Sequence, residues 1–137
     1  VGLSVRKDQI LSIRGILEDA PLIRKVTASA YKASAKYVDV HWNDEITSRL
    51  RFEHADPESI TYIPDWIFHL YEDYMKNGEA QLAIASNDPD LFEGIDSDLL
   101  AKSRKARMLK FEPLRKYENI SNWCVTASSP TIALPKR

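Results

Sequence analysis

The sequence has a single cysteine, Cys124, so no disulfide can close within the chain, and a reducing compartment, by default the cytoplasm, is the expected location. It also lacks any apolar run near the roughly 18 residues that a membrane-crossing helix needs, which excludes a helical span. Neither sign of charge is in excess: 19 Lys and Arg stand against 20 Asp and Glu, for a formal net charge of −1. Both signs are spread along the whole chain, so no large field develops and nucleic acid is not an expected partner. Internal repeats, low-complexity tracts and Gly/Ser linkers are missing, which leaves one continuous unit. Gly15 stands alone after the first apolar run. Without G-x-G-x-x-G or G-x-x-x-x-G-K there is no phosphate cradle, and dinucleotide or nucleoside triphosphate binding is disfavoured. The first residue is Val1 rather than Met, so a leader is not excluded.

What is present is the composition of a globular domain. The 137 residues are 44% hydrophobic and 28% charged, and a chain of about 150 residues buries roughly 68–70% of the surface its unfolded form exposes. Short apolar runs alternate with longer helical patterns. Gln9 to Arg14 reads as a buried strand through Ile10, Leu11 and Ile13, ending near Gly15. Pro21 then sits where a first helical turn tolerates it, and that helix is expected to reach about Ala35. Its small residues Ala28, Ser29, Ala30, Ala33, Ser34 and Ala35 predict a close approach to a sheet. Tyr37 to Trp42 sets Val38, Val40 and Trp42 against Tyr37, Asp39 and His41, the period of a strand near an edge with two different faces.

Asn43 and Asp44 offer caps for a helix that carries Ile46, Leu50, Arg49 and Arg51 and ends before Pro57. A further helix from about Pro64 carries Ile67, Leu70, Tyr71 and Tyr74 as an apolar stripe and stops at Asn77-Gly78. Leu82 to Ala85 is a short strand. A long helix follows from about Ser97 to Lys116, which Pro113 kinks or ends. Trp123 to Ala127 is the last strand, and a buried strand followed by Pro130 resembles the middle of a larger protein. Four strands separated by helices predict a three-layer α/β fold: a mostly parallel sheet of about four strands, flanked by helices.

Several constellations have ligand-type chemistry. His41, Asp44 and Glu45 form the densest cluster, at a strand-to-helix junction where sites in open α/β sheets form. The plainer reading makes His41 an outward residue and Asp44 an N-cap. Glu53, His54 and Asp56 are a second group, but neighbours on a helix point apart and do not converge on one ion. His69, between Phe68 and Leu70, has nothing nearby in sequence to orient it as a general base. Cys124, between Trp123 and Val125, sits in an apolar strand that raises thiol pKa, so it reads as structural. The basic positions Lys102, Arg104, Lys105, Arg107 and Lys110 scatter around their helix, as on a solvated or interface-lining surface. Arg49 and Arg51 are too close to share a face, so one turns inward to pair with a carboxylate or line a cavity, Arg49 first.

Several stretches taken together resemble the thermophilic-type metallo-aminopeptidases, the aminopeptidase S and aminopeptidase T group. They are Val1-Gly2-Leu3-Ser4-Val5 with Asp8-Gln9, Ala20-Pro21-Leu22-Ile23-Arg24, Ala30-Tyr31-Lys32-Ala33 and Val40-His41-Trp42-Asn43-Asp44-Glu45. Then come Arg49-Leu50-Arg51-Phe52-Glu53-His54-Ala55, Gly94-Ile95-Asp96, Lys105-Ala106-Arg107 and Asn122-Trp123-Cys124. Their order and spacing span nearly the whole chain.

The resemblance implies a soluble exopeptidase that releases N-terminal amino acids from peptides with two neighbouring divalent metal ions (zinc, cobalt or magnesium). It places residues 1–137 as the N-terminal α/β domain of a longer enzyme that works as a homodimer, with the metal-binding catalytic domain elsewhere. The family's glutamate and histidine ligands match no position here, so no catalytic, cofactor-binding or metal residue is assigned and this stretch alone is expected to be inactive. The implied role is to help wall an enclosed cavity, with Trp42, Trp66, Tyr62 and Tyr71 as candidate interface aromatics. Two alternatives stay open. One is a stand-alone α/β binding or interaction module; the other is a small enzyme built on His41 and Asp44.

Overall fold

The computed structural model describes residues 5–85, 88–118 and 122–127. Strand β1 (Ile10–Ile16) leads through a 3-10 turn (Leu17–Asp19) into helix α1 (Ala20–Lys32), and β2 (Tyr37–Asn43) follows. Helix α2 (Glu45–His54), a 3-10 turn (Pro57–Thr61) and helix α3 (Asp65–Lys76) precede β3 (Ala80–Ala85). Helix α4 (Ser97–Phe111), a 3-10 segment (Glu112–Tyr117) and β4 (Asn122–Ala127) complete the order. The strands form one sheet in the order β2-β1-β3-β4, and every pairing is parallel. The predicted α/β class holds, with β2 at an edge as its alternation implies. Cys124 lies on β4, whose side chains are outside the described residues.

The two faces of the sheet differ in kind. Leu11 and Ile13 of β1, Val38 of β2, and Ala80, Leu82 and Ile84 of β3 join Ile23 and Ala30 of α1 in one dry core. The opposite face carries Ser12 and Arg14, which lie in register with Asp39 and His41 on one side and with Gln81 and Ala83 on the other. Helix α3 covers this polar face, since Tyr71 bonds Arg14 and Tyr74 bonds Asp39. Helices therefore lie on both sides, which is the three-layer arrangement.

Two helix ends and one packing contact differ from the sequence expectation. Helix α1 ends at Lys32, because Ser34 turns into the left-handed region at φ 73° and closes the helix three residues before Ala35. The small-residue stripe does not set the close approach, since Ala28, Ser29, Ala33 and Ser34 are exposed and only Ala30 is buried. The approach is set at Gly15, where a Cβ would lie 2.7 Å from Ile23 Cδ1 and 3.6 Å from Ile84 Cβ. Helix α4 ends at Phe111, and Pro113 falls in the 3-10 segment that follows and buries Leu114.

That contact gives a stability prediction. Gly15→Ala forces Ile23, which is fully buried, to shift, and is expected to cost about 1–2 kcal/mol. Ile23→Val removes the opposing Cδ1 at a cost of about 0.5–1.5 kcal/mol on its own. Urea unfolding of the double variant should give less than the sum of the two, by about 0.5 kcal/mol or more. Strict additivity would place the limiting contact elsewhere.

Candidate functional site

The chain leaves β1 for β2 on one side and later returns to place β3 on the other. The carboxyl ends of β1 and β3 thus flank a topological switch point, where open α/β sheets form crevices. A cavity of about 790 Å³ lies there, with Arg14, His41, Glu45, Trp66, Tyr71 and Arg107 in its wall. A second cavity, of about 540 Å³, continues along the polar face of the sheet and shares Arg14, Tyr71 and Arg107 with the first. The two form one cleft with those three side chains at its waist.

Arg14 reaches the cleft because β1 alternates and its other face is spent on the dry core. Its Nη1 donates to Tyr71 Oη at 2.8 Å, and the guanidinium lies 4.8 Å from the Tyr71 ring centroid. Tyr71 in turn meets Phe111 edge to face at 5.3 Å, and Phe111 stacks on Phe68 at 6.1 Å. Arg107, one turn before Phe111 on α4, covers that ring at 5.1 Å. Helix α4 carries no buried residue. It packs on the 3-10 turn Pro57–Thr61 and is further held by this aromatic packing and by the Lys110–Asp65 ion pair, whose hydrogen bond and charge hold the exposed Asp65 carboxyl below its ordinary pKa.

The predicted ligand cluster does not converge. His41 Nε2 lies 2.8 Å from Asp39 Oδ2 and is engaged there. Asp44 caps α2, its Oδ2 accepting from Thr47 N at 3.1 Å and from Thr47 Oγ1 at 2.7 Å. Glu45 opens α2 and lines the cleft, with its Oε2 buried and, among the described residues, without a hydrogen-bond partner. In the second group Glu53 pairs with Arg49 at 2.7 Å, and Asp56 caps the 3-10 turn by accepting from Glu58 N at 3.0 Å. Among the described residues no three His, Cys, Asp or Glu side chains are placed to hold a metal ion. The donors described here do not fit a dinuclear centre.

Arg49 behaves as expected of the inward arginine, pairing with Glu53 and also donating to the Leu91 carbonyl at 2.8 Å. Arg51 donates to the carbonyls of Ser59 and Tyr62 and so ties α2 to the segment before α3. His69 is exposed beside Glu72. Of the four candidate aromatics, Trp42, Tyr62 and Trp66 are exposed, Trp66 most of all at 69%. Tyr71 is instead half-buried at the cleft waist.

Sequence reasoning passed over Arg14 and Gln81, the two residues that give the cleft its chemistry. The signal was available: a charged residue in Ile-Leu-Ser-Ile-Arg-Gly-Ile and an amide in Ala-Gln-Leu-Ala-Ile-Ala are polar intrusions into strands buried on both faces.

These features define an α/β domain with a cationic, aromatic-walled cleft at its switch point. The chain belongs to the family described as thermophilic metalloprotease (M29), whose model matches residues 1–136. It is 32% identical over 117 residues to aminopeptidase AmpS of Bacillus subtilis, covering 85% of this chain and 28% of that protein. It is 34% identical over 105 residues to aminopeptidase 2 of Geobacillus stearothermophilus, covering 77% and 25%. The solved structure of wild-type AmpT from Thermus thermophilus superposes with a TM-score of 0.83 at 24% identity, over 94% of this chain and 33% of that one. This likeness supports the fold. The chain spans about a quarter to a third of the length of the relatives it matches.

Beside the cleft, Tyr74 and Asp39 generate a pH prediction. Burial first, and then the hydrogen bond to Asp39, push the Tyr74 hydroxyl well above its ordinary pKa. A raised folded pKa contributes stability below the unfolded value, about 10 for tyrosine, and that contribution is lost as pH rises toward the folded value. Chemical denaturation should therefore show stability falling above about pH 10 in the parent protein and falling less steeply in Tyr74→Phe. At neutral pH the same variant should be about 1–2 kcal/mol less stable, since Asp39 loses a donor. Equal alkaline slopes would remove Tyr74 as the cause.

Proposed function

We propose that residues 1–137 are the N-terminal, non-catalytic part of a dinuclear metal-dependent aminopeptidase that releases N-terminal amino acids from peptides. The observation that carries this reading is the pairing of two extents: the family match runs over residues 1–136, while the same stretch covers only 28% and 25% of relatives named aminopeptidases. The two divalent ions then belong to residues outside this stretch, which agrees with the engagement of His41 by Asp39 and of Asp44 by Thr47. The domain contributes walls and an interface in place of ligands. The whole protein is a cytoplasmic homodimer with peptide substrates. Exposed Trp66 and Tyr62, at the start of α3 and just before it, fit an interface role because solvent-facing aromatics anchor such contacts.

The test compares the 137-residue chain with the protein extended to the length of its relatives, on peptides with free N-termini, with and without a chelator. The extended protein should release N-terminal residues and lose that activity to the chelator, and the short chain should have none. Hydrolysis by the short chain would overturn the non-catalytic assignment. Trp66→Ala in the extended protein should weaken self-association in sedimentation by about tenfold or more, the effect of a central aromatic anchor, with turnover per intact dimer unchanged. An unaltered dissociation constant would exclude Trp66 from the interface.

A further inference from the structure

Three observations about the 540 Å³ chamber concern ligand chemistry, and none depends on peptide hydrolysis. The first is an excess of positive charge. Arg14, Arg107 and Arg115 line the chamber with Glu118. Arg115 is met by Glu112 at 3.7 Å and Glu118 at 3.5 Å. Among the described residues no carboxylate lies within ion-pair distance of Arg14 or Arg107. The guanidinium of Arg14 is half-buried on the central strand and has five N–H donors. Tyr71 Oη receives only one of them.

The second observation is Gln81. It is 5% exposed, it lines the same chamber, and among the described residues its amide has no hydrogen-bond partner. The amide is open to the chamber, and its donors and acceptor are available there. The register places Gln81 beside Ser12 on the strand face that also carries Arg14. The third is the wall: Tyr71, Phe111, Met75 and Leu114 supply apolar and aromatic surface around those polar groups. A concave site of several hundred Å³ with mostly apolar walls and a few convergent polar groups is the usual form of a small-molecule pocket.

We propose that this chamber binds a small organic monocarboxylate with an apolar, preferably aromatic, body. The carboxylate is received by the free edges of the Arg14 and Arg107 guanidiniums, the Gln81 amide donates to one of its oxygens, and the body packs between Tyr71, Phe111 and Leu114. Arginine suits this task because its planar fork matches a carboxylate, and the contact of Arg14 with Tyr71 holds one fork in place before the ligand arrives. The apolar and aromatic wall favours a carboxylate that carries an apolar body over inorganic phosphate, which has none. A free amino-acid derivative and the C-terminus of a short peptide both present this chemistry.

The test is isothermal titration of the full-length protein in the presence of chelator, so that binding is read whether or not the protein hydrolyses peptides. The probes are N-acetylphenylalanine, phenylalaninamide, the peptide Ala-Ala-Phe and inorganic phosphate. N-acetylphenylalanine should bind, and phenylalaninamide, which keeps the ring but lacks the carboxylate, should not. Tighter binding of Ala-Ala-Phe would assign the site to peptide C-termini, and equal or weaker binding to the single amino-acid unit. Arg107→Met, on the exposed surface of α4, and Arg14→Met should each weaken N-acetylphenylalanine by about tenfold or more, the effect of losing a charge-assisted hydrogen bond.

Gln81→Leu separates a ligand role from a structural one. It should weaken binding by a similar factor while leaving Tm unchanged or raised, because it removes an amide that has no partner among the described residues. Any of three results would overturn the proposal: no binding of either carboxylate at millimolar concentration, equal binding of phenylalaninamide or phosphate, or full affinity in both Arg107→Met and Gln81→Leu.

Discussion

The structure is organised around a guanidinium on its central strand. Strand β1 pairs on both sides, so a charged residue there has no edge to escape over and must be served by whatever covers the sheet. Removing such a charge wholly from water costs several kcal/mol even after relaxation. Among the described residues the fold avoids that cost without supplying a counter-ion. Arg14 stays half-buried beneath an open cleft, with the Tyr71 hydroxyl taking one donor and the Tyr71 ring lying against the charge. Helix α3 must then stand at the distance a tyrosine spans, and the packing of Phe111 on Tyr71 and Phe68 carries that spacing on to α4.

The opposite face solves the reverse problem. There the layers meet so tightly that Gly15 has no room for a Cβ beneath Ile23, and the eight buried members of that cluster are all apolar. One face therefore supplies most of the hydrophobic stabilisation, and the other is free to carry Asp39, Ser12, Gln81, His41 and Arg14. Tyr74 satisfies Asp39 from α3, and His41 satisfies it from its own strand, so those polar groups are closed into a network. Among the described residues Arg14 and Gln81 are left with capacity to spare. That division between closed and open polar groups, within one sheet face, separates structural polarity from candidate binding polarity.

Much of the fold was legible because its signals are local. The alternation in Tyr37 to Trp42, the Asp44 cap, the stripe through Tyr71 and Tyr74, the stop at Asn77-Gly78 and the break at Pro113 each depend on a few neighbouring residues, and each recurs in the structure. What escaped was set by distant partners. The closeness of α1 is decided by a glycine on the strand beneath it and not by the small residues of the helix itself. His41, Asp44 and Glu45 are adjacent in sequence but serve Asp39, a helix start and the cleft respectively, because a strand end and a helix start point their side chains apart. Arg14 and Gln81 are separated by about half the chain, and only parallel pairing of β1 with β3 brings them to one surface. Sequence proximity was the wrong measure for a site assembled by sheet register.

The two chambers cannot change shape independently, because Arg14, Tyr71 and Arg107 belong to both. Of the ties that hold α4 against α3, the Lys110–Asp65 pair is weak in its effect, since Asp65 is exposed and screened by solvent. The aromatic contacts of Phe111 with Phe68 and Tyr71 carry the load, at about 0.5–1.5 kcal/mol each beyond their burial. A ligand body entering beside Phe111 would press on that same contact, and Arg107 rides on the ring. A ligand beside Phe111 would thus lie next to Arg107, which also lines the chamber that holds Trp66 and the buried carboxylate oxygen of Glu45. The two compartments therefore share one waist, formed by Arg14, Tyr71 and Arg107.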